Sequence, residues 1–172
     1  MSFAIFNAEG FDSLEASRLR PPLDASAPAG ATLDHFAGRR RSAAVGRRFW
    51  RFLAANWPSF DPIERARAVR MFARFRGDWS RDALSAADRA FYDGLPERFA
   101  AYRGQNGAEL AIGAAFALSL DGARRQAAGR RVFALAAAKR DVALAFAADG
   151  ELVMFPTPRV DLRARRMIEV VN

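Results

Sequence analysis

Cysteine is absent from this sequence, and histidine and lysine occur once each, as His35 and Lys139. The first absence excludes disulfides and thiolate metal sites, and a single histidine argues against a histidine-based zinc centre. Ser-His-Asp or Cys-His chemistry would have to be built on His35, which stands among Thr32, Asp34 and Phe36 and reads as a first-turn or surface histidine. No uncharged apolar run reaches the roughly 18 residues that a membrane helix needs. The opening seven residues are followed by Glu9, Gly10 and Asp12 too soon for a secretory signal. There is no internal repeat, no glycine-rich phosphate loop and no dinucleotide-binding βαβ fingerprint. These absences lead us to expect a cytoplasmic protein with no metal and no membrane association.

What is present is apolar content and arginine. With 172 residues and 51% hydrophobic content the chain has the size of one domain, or of one domain with a helical extension, and can bury a sizeable core. The 27 Lys+Arg against 19 Asp+Glu give a formal +8, nearly all of it guanidinium. That charge favours loose attraction to nucleic acid, anionic nucleotides or acidic partners. The same skew, alongside so much alanine, is also what a GC-rich coding bias produces.

Residues 1–33 carry weak periodicity, with a short helix read near residues 13–19 and breakers at Pro21, Pro22 and Pro28. From Asp34 onward the pattern is helical. Val45, Phe49, Phe52 and Leu53 recur at three- and four-residue steps, with Arg39, Arg40, Arg47 and Arg48 on other faces, and Pro58 predicts a stop near Asn56. Asp61, Pro62 and Glu64 read as an N-cap, a first-position proline and a first-turn acid, opening a helix whose buried stripe is Ile63, Ala66, Val69, Phe72 and Ala73, with Phe75 at its margin, and which ends at Gly77. Ser85 with Asp88 reads as a variant capping box on a third helix that ends at Gly94. After Pro96 the pattern turns strand-like: residues 99–103, then 114–120 closing on Asp121 as the cap of a short helix through Ala127. A strand at 132–135, a strand or helical turn at 142–146, a buried strand at 152–155 and a last strand at 160–171, bulged near Arg165, follow. Helices first and strands after predict an α+β chain with a mostly antiparallel or mixed sheet, divided into a helical portion at 1–95 and a β-rich core at 96–172 within one compact unit.

The second half carries a resemblance. Tyr102, Arg103 and Gly104, then an aromatic- and hydroxyl-bearing strand with Phe116 and Ser119, then Lys139, Arg140, Asp141 and Val142, then Asp149, Gly150 and Glu151 resemble, in order and spacing over residues 96–156, the arginine-serine-glutamate class of mono-ADP-ribosyltransferases, in the form found among small bacterial and phage-encoded proteins. The resemblance implies a split pair of small sheets around a cleft for NAD, with ADP-ribose transferred to an acceptor, a protein among the candidates, or NAD hydrolysed. It also implies roles: Arg103 on the dinucleotide phosphates, with Tyr102, Gly104 and Phe116 beside it, Ser119 in the ribose or nicotinamide pocket, Glu151 as the catalytic carboxylate and Asp149 toward the acceptor. The chemistry suits these residue types. Cleaving ribose from nicotinamide develops positive charge on the sugar, which a carboxylate stabilises, and a guanidinium fork matches phosphate oxygens.

The sequence departs from the family's pattern in two places. Ala117 stands where the first of two hydroxyls is usual, or, shifted by one step, Ala115 and Ala117 occupy both positions around Phe116; Asp149 stands where arginine-modifying members carry glutamate. Taken singly, Arg103 also reads as a surface arginine before a turn, Glu151 as a strand-edge charge, Ser119 as a turn hydroxyl, Tyr102 and Phe116 as core, and Lys139 as a turn residue. The alternative function is a non-enzymatic module of the same fold whose arginine-rich helices bind nucleic acid or a protein partner.

Overall fold

Three side-chain oxygens set where the principal helices begin. The computed structural model describes residues 29–104, 114–127, 131–156 and 168–170. Helix α1 spans Ala29–Gly38. Helix α2, Ala43–Asn56, is capped by Ser42, whose hydroxyl accepts from Val45 N. Helix α3, Pro62–Phe75, has a complete capping box: Glu64 N donates to Asp61 Oδ1 at 2.7 Å and Asp61 N donates to Glu64 Oε2 at 3.0 Å. Helix α4, Ala86–Gly94, is capped by Ser85, which accepts from Asp88 N. Each oxygen meets an amide that the first helical turn leaves without a partner. Among the described residues, no helix is long and apolar enough to cross a membrane.

The stripe of α3 differs from the one the sequence suggested. Its buried residues are Ala68, Phe72 and Phe75, whereas Ile63 is 71% exposed and Ala73 is exposed too. Helical geometry explains the correction. Ile63 lies nine residues before Phe72, two and a half turns, and so points to the opposite side. The remaining apolar positions form an aromatic cluster with α2: Phe49 lies 4.6 Å from Phe75 and Trp50 5.0 Å from Phe72, centroid to centroid, while Trp50 Nε1 donates to the Phe75 carbonyl at 2.8 Å.

Strands β1 (Arg98–Gly104), β2 (Ala115–Ala117), β3 (Val132–Ala138), β4 (Val142–Phe146), β5 (Glu151–Met154) and β6 (Ile168–Val170) form one sheet in the order β4-β5-β2-β1-β3-β6, with every pairing antiparallel. The α+β reading holds in this form, but the expected split into two small sheets does not. β2 pairs with both β1 and β5, and so joins the two halves. The segment at 142–146 is a strand. Helix α5, Leu120–Ala127, follows β2 and packs on β1. The expected helix at 13–19, the bulge near Arg165 and most of the strand at 160–171 lie outside the described residues; residues 168–170 are strand.

Helices and sheet share one large core, and α5 covers a second, smaller apolar cluster. Phe155, just past β5, sits among Trp50, Phe72 and Trp79 at centroid distances of 5.5, 6.0 and 6.1 Å. β4 is the first strand in the order, and its outer side is met from the helical portion. Trp79 Nε1 donates to Ala143 O at 2.7 Å, and Ala147 N donates to Asp88 Oδ1 at 2.9 Å. The turn between β4 and β5 closes on Gly150, whose φ of 63° is the left-handed conformation that glycine adopts without steric cost.

His35, in the last turn of α1, accepts on Nε2 from Arg39 Nε at 3.2 Å, which requires that nitrogen to be unprotonated. Burial, then the charges of Arg39 and Arg48, hold its pKa below the ordinary 6.5. Above that value the imidazole is neutral in both folded and unfolded chains. As pH falls through it the unfolded chain takes up the proton first, so stability declines until the folded-state pKa has been passed. Between about pH 7.5 and 5.5 the wild type should lose more thermal stability than His35→Gln. Superimposable melting profiles for the two proteins would remove His35 from this account.

Candidate functional site

Strand alternation sorts the residues singled out by the resemblance onto two faces of the sheet. Tyr102 is in register with Ala117, and Ala117 with Glu151, so these three share one face. Arg103 projects to the other, where its guanidinium lies 5.9 Å from the centroid of the Phe116 ring, and Phe116 is in register with Leu152. Burial draws the Arg103 pKa below its ordinary value. The arrangement brings Arg103 to Phe116 and does not bring Arg103 to Glu151.

Tyr102 and Gly104 face helix α5. Tyr102 packs on Ala117, Ala123, Ala127 and Val132. At Gly104 an added Cβ would run into the Ala123 carbonyl oxygen and stand 2.5 Å from Ala127 N, so glycine here permits strand and helix backbones to approach. Ser119 performs the capping that the sequence assigned to Asp121. Its hydroxyl accepts from Gly122 N at 3.1 Å and its carbonyl accepts from Ala123 N, while Asp121 lies one residue inside the first turn. Because both residues carry a capping oxygen, the sequence admitted either start. Asp149 is exposed in the turn before β5, and Leu118 N donates to Gly150 O at 3.0 Å, which places the turn with Asp149 and Glu151 alongside the β2 end that leads into Ser119.

Glu151 is held by residues the sequence did not connect with it. Its Oε1 accepts from Trp57 Nε1 at 2.7 Å and lies 3.6 Å from Arg65 Nη1. Arg65 also stacks 5.3 Å over the Trp57 ring and donates to the carbonyls of Phe60 and Trp57. The Glu151 side chain is only 14% exposed and its carboxylate is engaged by Trp57 and Arg65, partners far away in sequence that no local pattern pairs with it.

A second cluster lies on the helical portion. Residues 39–76 hold eleven arginines against Asp61 and Glu64, a formal +9, whereas the whole chain carries +8. Several of these arginines are structural. Arg67 pairs with Asp34, and Arg74 donates to the carbonyls of Ala37 and Arg39, fixing the C-terminal end of α1. Arg40, Arg47, Arg51 and Arg70 are exposed and make no hydrogen bond or ion pair among the described residues. Arg47 and Arg51, one turn apart on α2, line a cavity of about 90 Å³ together with Trp50, Asp78, Ser80 and Asp82. Gly46, a glycine inside the helical pattern of α2, leaves the space that the Asp78 side chain fills. An added Cβ there would run into the Asp78 carboxyl group.

The chain matches no family model, no curated protein and no solved structure.

Gly104→Ala should destabilise the fold by about 1–3 kcal/mol, because backbone atoms on both sides must move apart. Chemical denaturation measures this directly, and an unchanged midpoint would show that α5 does not press on β1 as closely as described.

Proposed function

We propose that the protein is a nucleic-acid-binding module whose arginine-rich helical portion engages the phosphate backbone. The observation that carries this reading is the concentration of charge in residues 39–76, with Arg40, Arg47, Arg51 and Arg70 left exposed and uncommitted. Guanidinium groups already bound to carboxylates or carbonyls offer little to a phosphate. Uncommitted ones release condensed counterions from the nucleic acid when they replace them, and this gives affinity without sequence preference.

Fluorescence anisotropy with labelled oligonucleotides across a range of salt concentrations tests the reading. For duplex DNA, log K should fall against log salt with a slope of about −3 to −4 if the four groups each neutralise a phosphate. Arg47→Ala and Arg51→Ala should each reduce that slope by about 1. Arg98→Ala and Arg140→Ala, on exposed arginines outside this stretch, should leave it unchanged. An affinity indifferent to salt sinks the proposal.

A second reading, NAD cleavage of the ADP-ribosyltransferase kind, draws support from the meeting of the Asp149–Gly150–Glu151 turn with the strand end before Ser119. In it Glu151 stabilises the sugar cation and Asp149 faces the acceptor. Nicotinamide release by wild type and not by Glu151→Gln is the expected outcome, and equal release, or none from either protein at millimolar NAD, counts against it.

A further inference from the structure

The free hydrogen-bonding capacity of the cavity beside α2 is all of one kind. Most of the polar side chains that line it are already engaged. The Asp78 side chain is 11% exposed, its Oδ2 is shielded, and it pairs with Arg41 Nε at 3.8 Å. Asp82 takes the Ser80 hydroxyl at 3.0 Å and pairs with Arg89 Nη1 at 3.5 Å, while Ser80 Oγ accepts from Asp82 N. The Trp50 indole donates to the Phe75 carbonyl. Arg47 and Arg51 remain: both are exposed, and neither makes a hydrogen bond or ion pair among the described residues. Each aspartate is matched by an arginine outside the lining, so the two free guanidinium groups stand as uncompensated positive charge around one small space.

Two such groups select a ligand by charge and by shape. Four helical residues set Arg47 and Arg51 about 6 Å apart along α2, close enough for both forks to reach one tetrahedral anion. An internal nucleic-acid phosphate carries one negative charge, which one guanidinium neutralises. A phosphate monoester carries nearly two at neutral pH, and so matches both. At about 90 Å³ the cavity is smaller than the roughly 150 Å³ that accommodates a benzene ring, so a phosphate fits where a base does not. An internal phosphate is also joined to sugars on two sides, whereas a terminal one enters with a single attachment behind it.

We propose that this cavity captures the terminal phosphate of a nucleic-acid strand, Arg47 and Arg51 both donating to it, which makes the protein a reader of phosphorylated ends. The proposal rests on the nucleic-acid reading above and adds position to it. On a strand that ends in hydroxyl groups the two arginines meet internal phosphates, one each, and affinity follows charge density alone. On a phosphorylated strand the terminal dianion gains charge-assisted hydrogen bonds from two forks at once. Those bonds correspond to a preference of about tenfold.

The test uses one single-stranded sequence in three unlabelled forms: with a 5′-phosphate, with a 3′-phosphate, and with hydroxyls at both ends. Each competes with a labelled hydroxyl-ended strand, so that no label blocks the end under study. From wild type, at least one phosphorylated form should displace the probe at an about tenfold lower concentration than the hydroxyl-ended form. Inorganic phosphate at constant ionic strength should erase that difference, which ties it to a phosphate site rather than to the strand's added charge. In Arg47→Ala and in Arg51→Ala the three forms should compete alike, whereas Arg70→Ala, on α3 and not in the cavity lining, should weaken all three and keep the preference. Ala83→Leu, which fills the cavity and keeps both arginines, should also remove the preference, with folding checked by circular dichroism. Equal displacement by the three forms from wild type overturns the proposal and leaves the nucleic-acid reading standing. A preference that persists in both folded arginine variants, or that inorganic phosphate leaves untouched, overturns the assignment to this cavity. Displacement of the probe by inorganic phosphate as readily as by a phosphorylated strand makes the cavity a free-anion site and overturns its role in reading ends. A probe that does not bind at low salt overturns the underlying reading as well. The wild-type comparison needs no variant, so a variant that fails to fold leaves the proposal open to refutation.

Discussion

One carboxylate fastens the helical portion to the sheet. Glu151 opens β5, immediately after the Gly150 turn, and reaches the indole of Trp57 at 2.7 Å. Trp57 belongs to the connection between α2 and α3, and Arg65, stacked on its ring, returns to the backbone carbonyls of that same connection. The helices thereby acquire a fixed position over β5, and Phe155 can enter the aromatic cluster of Trp50, Phe72 and Trp79 in one orientation. With Glu151 14% and Arg65 31% exposed, the ion pair itself is partly screened, and the indole hydrogen bond and the apolar packing around it supply most of the hold.

Much of the architecture was legible in the sequence because it is written in local signals. Ser85 and the Asp61–Glu64 pair announced helix starts through oxygens placed three residues before the amides they bind, and Gly94 and Pro96 announced the passage from helix to strand. Local signals also misled. Ile63 was assigned to the core for its hydrophobicity although the helical repeat sets it opposite Phe72, and Asp121 was a plausible cap beside the residue, Ser119, that does the capping. The adjacency of Tyr102 and Arg103 in a strand already implied opposite faces, so alternation alone separates Arg103 from Glu151. What no local pattern encodes is which distant side chain a charge will meet. Trp57 for Glu151, and Asp78 for the gap at Gly46, appear only when the chain is folded.

Arginine does two jobs here, and the fold separates them. Arg65, Arg67 and Arg74 are spent inward, on a carboxylate, a neighbouring helix and its terminal carbonyls, where a planar five-donor fork suits several acceptors at once. Arg47 and Arg51 point away from the buried side of α2 formed by Val45, Phe49, Trp50 and Leu53, and among the described residues nothing competes for them. A composition that looks uniformly basic is, in three dimensions, a structural set and an available set.

The covering of β4 bears on how copies of this chain can meet. A sheet with two open edges can add strands at both and propagate into a fibre. In this one the β4 side is occupied by Trp79 and Asp88 from the helical portion, so among the described residues the edge left to a further strand is that of β6. Two molecules joined through that side would each present the other with a blocked far edge. Growth would end at a pair, and the helices, by lying against one strand, act as a chain terminator for β-assembly.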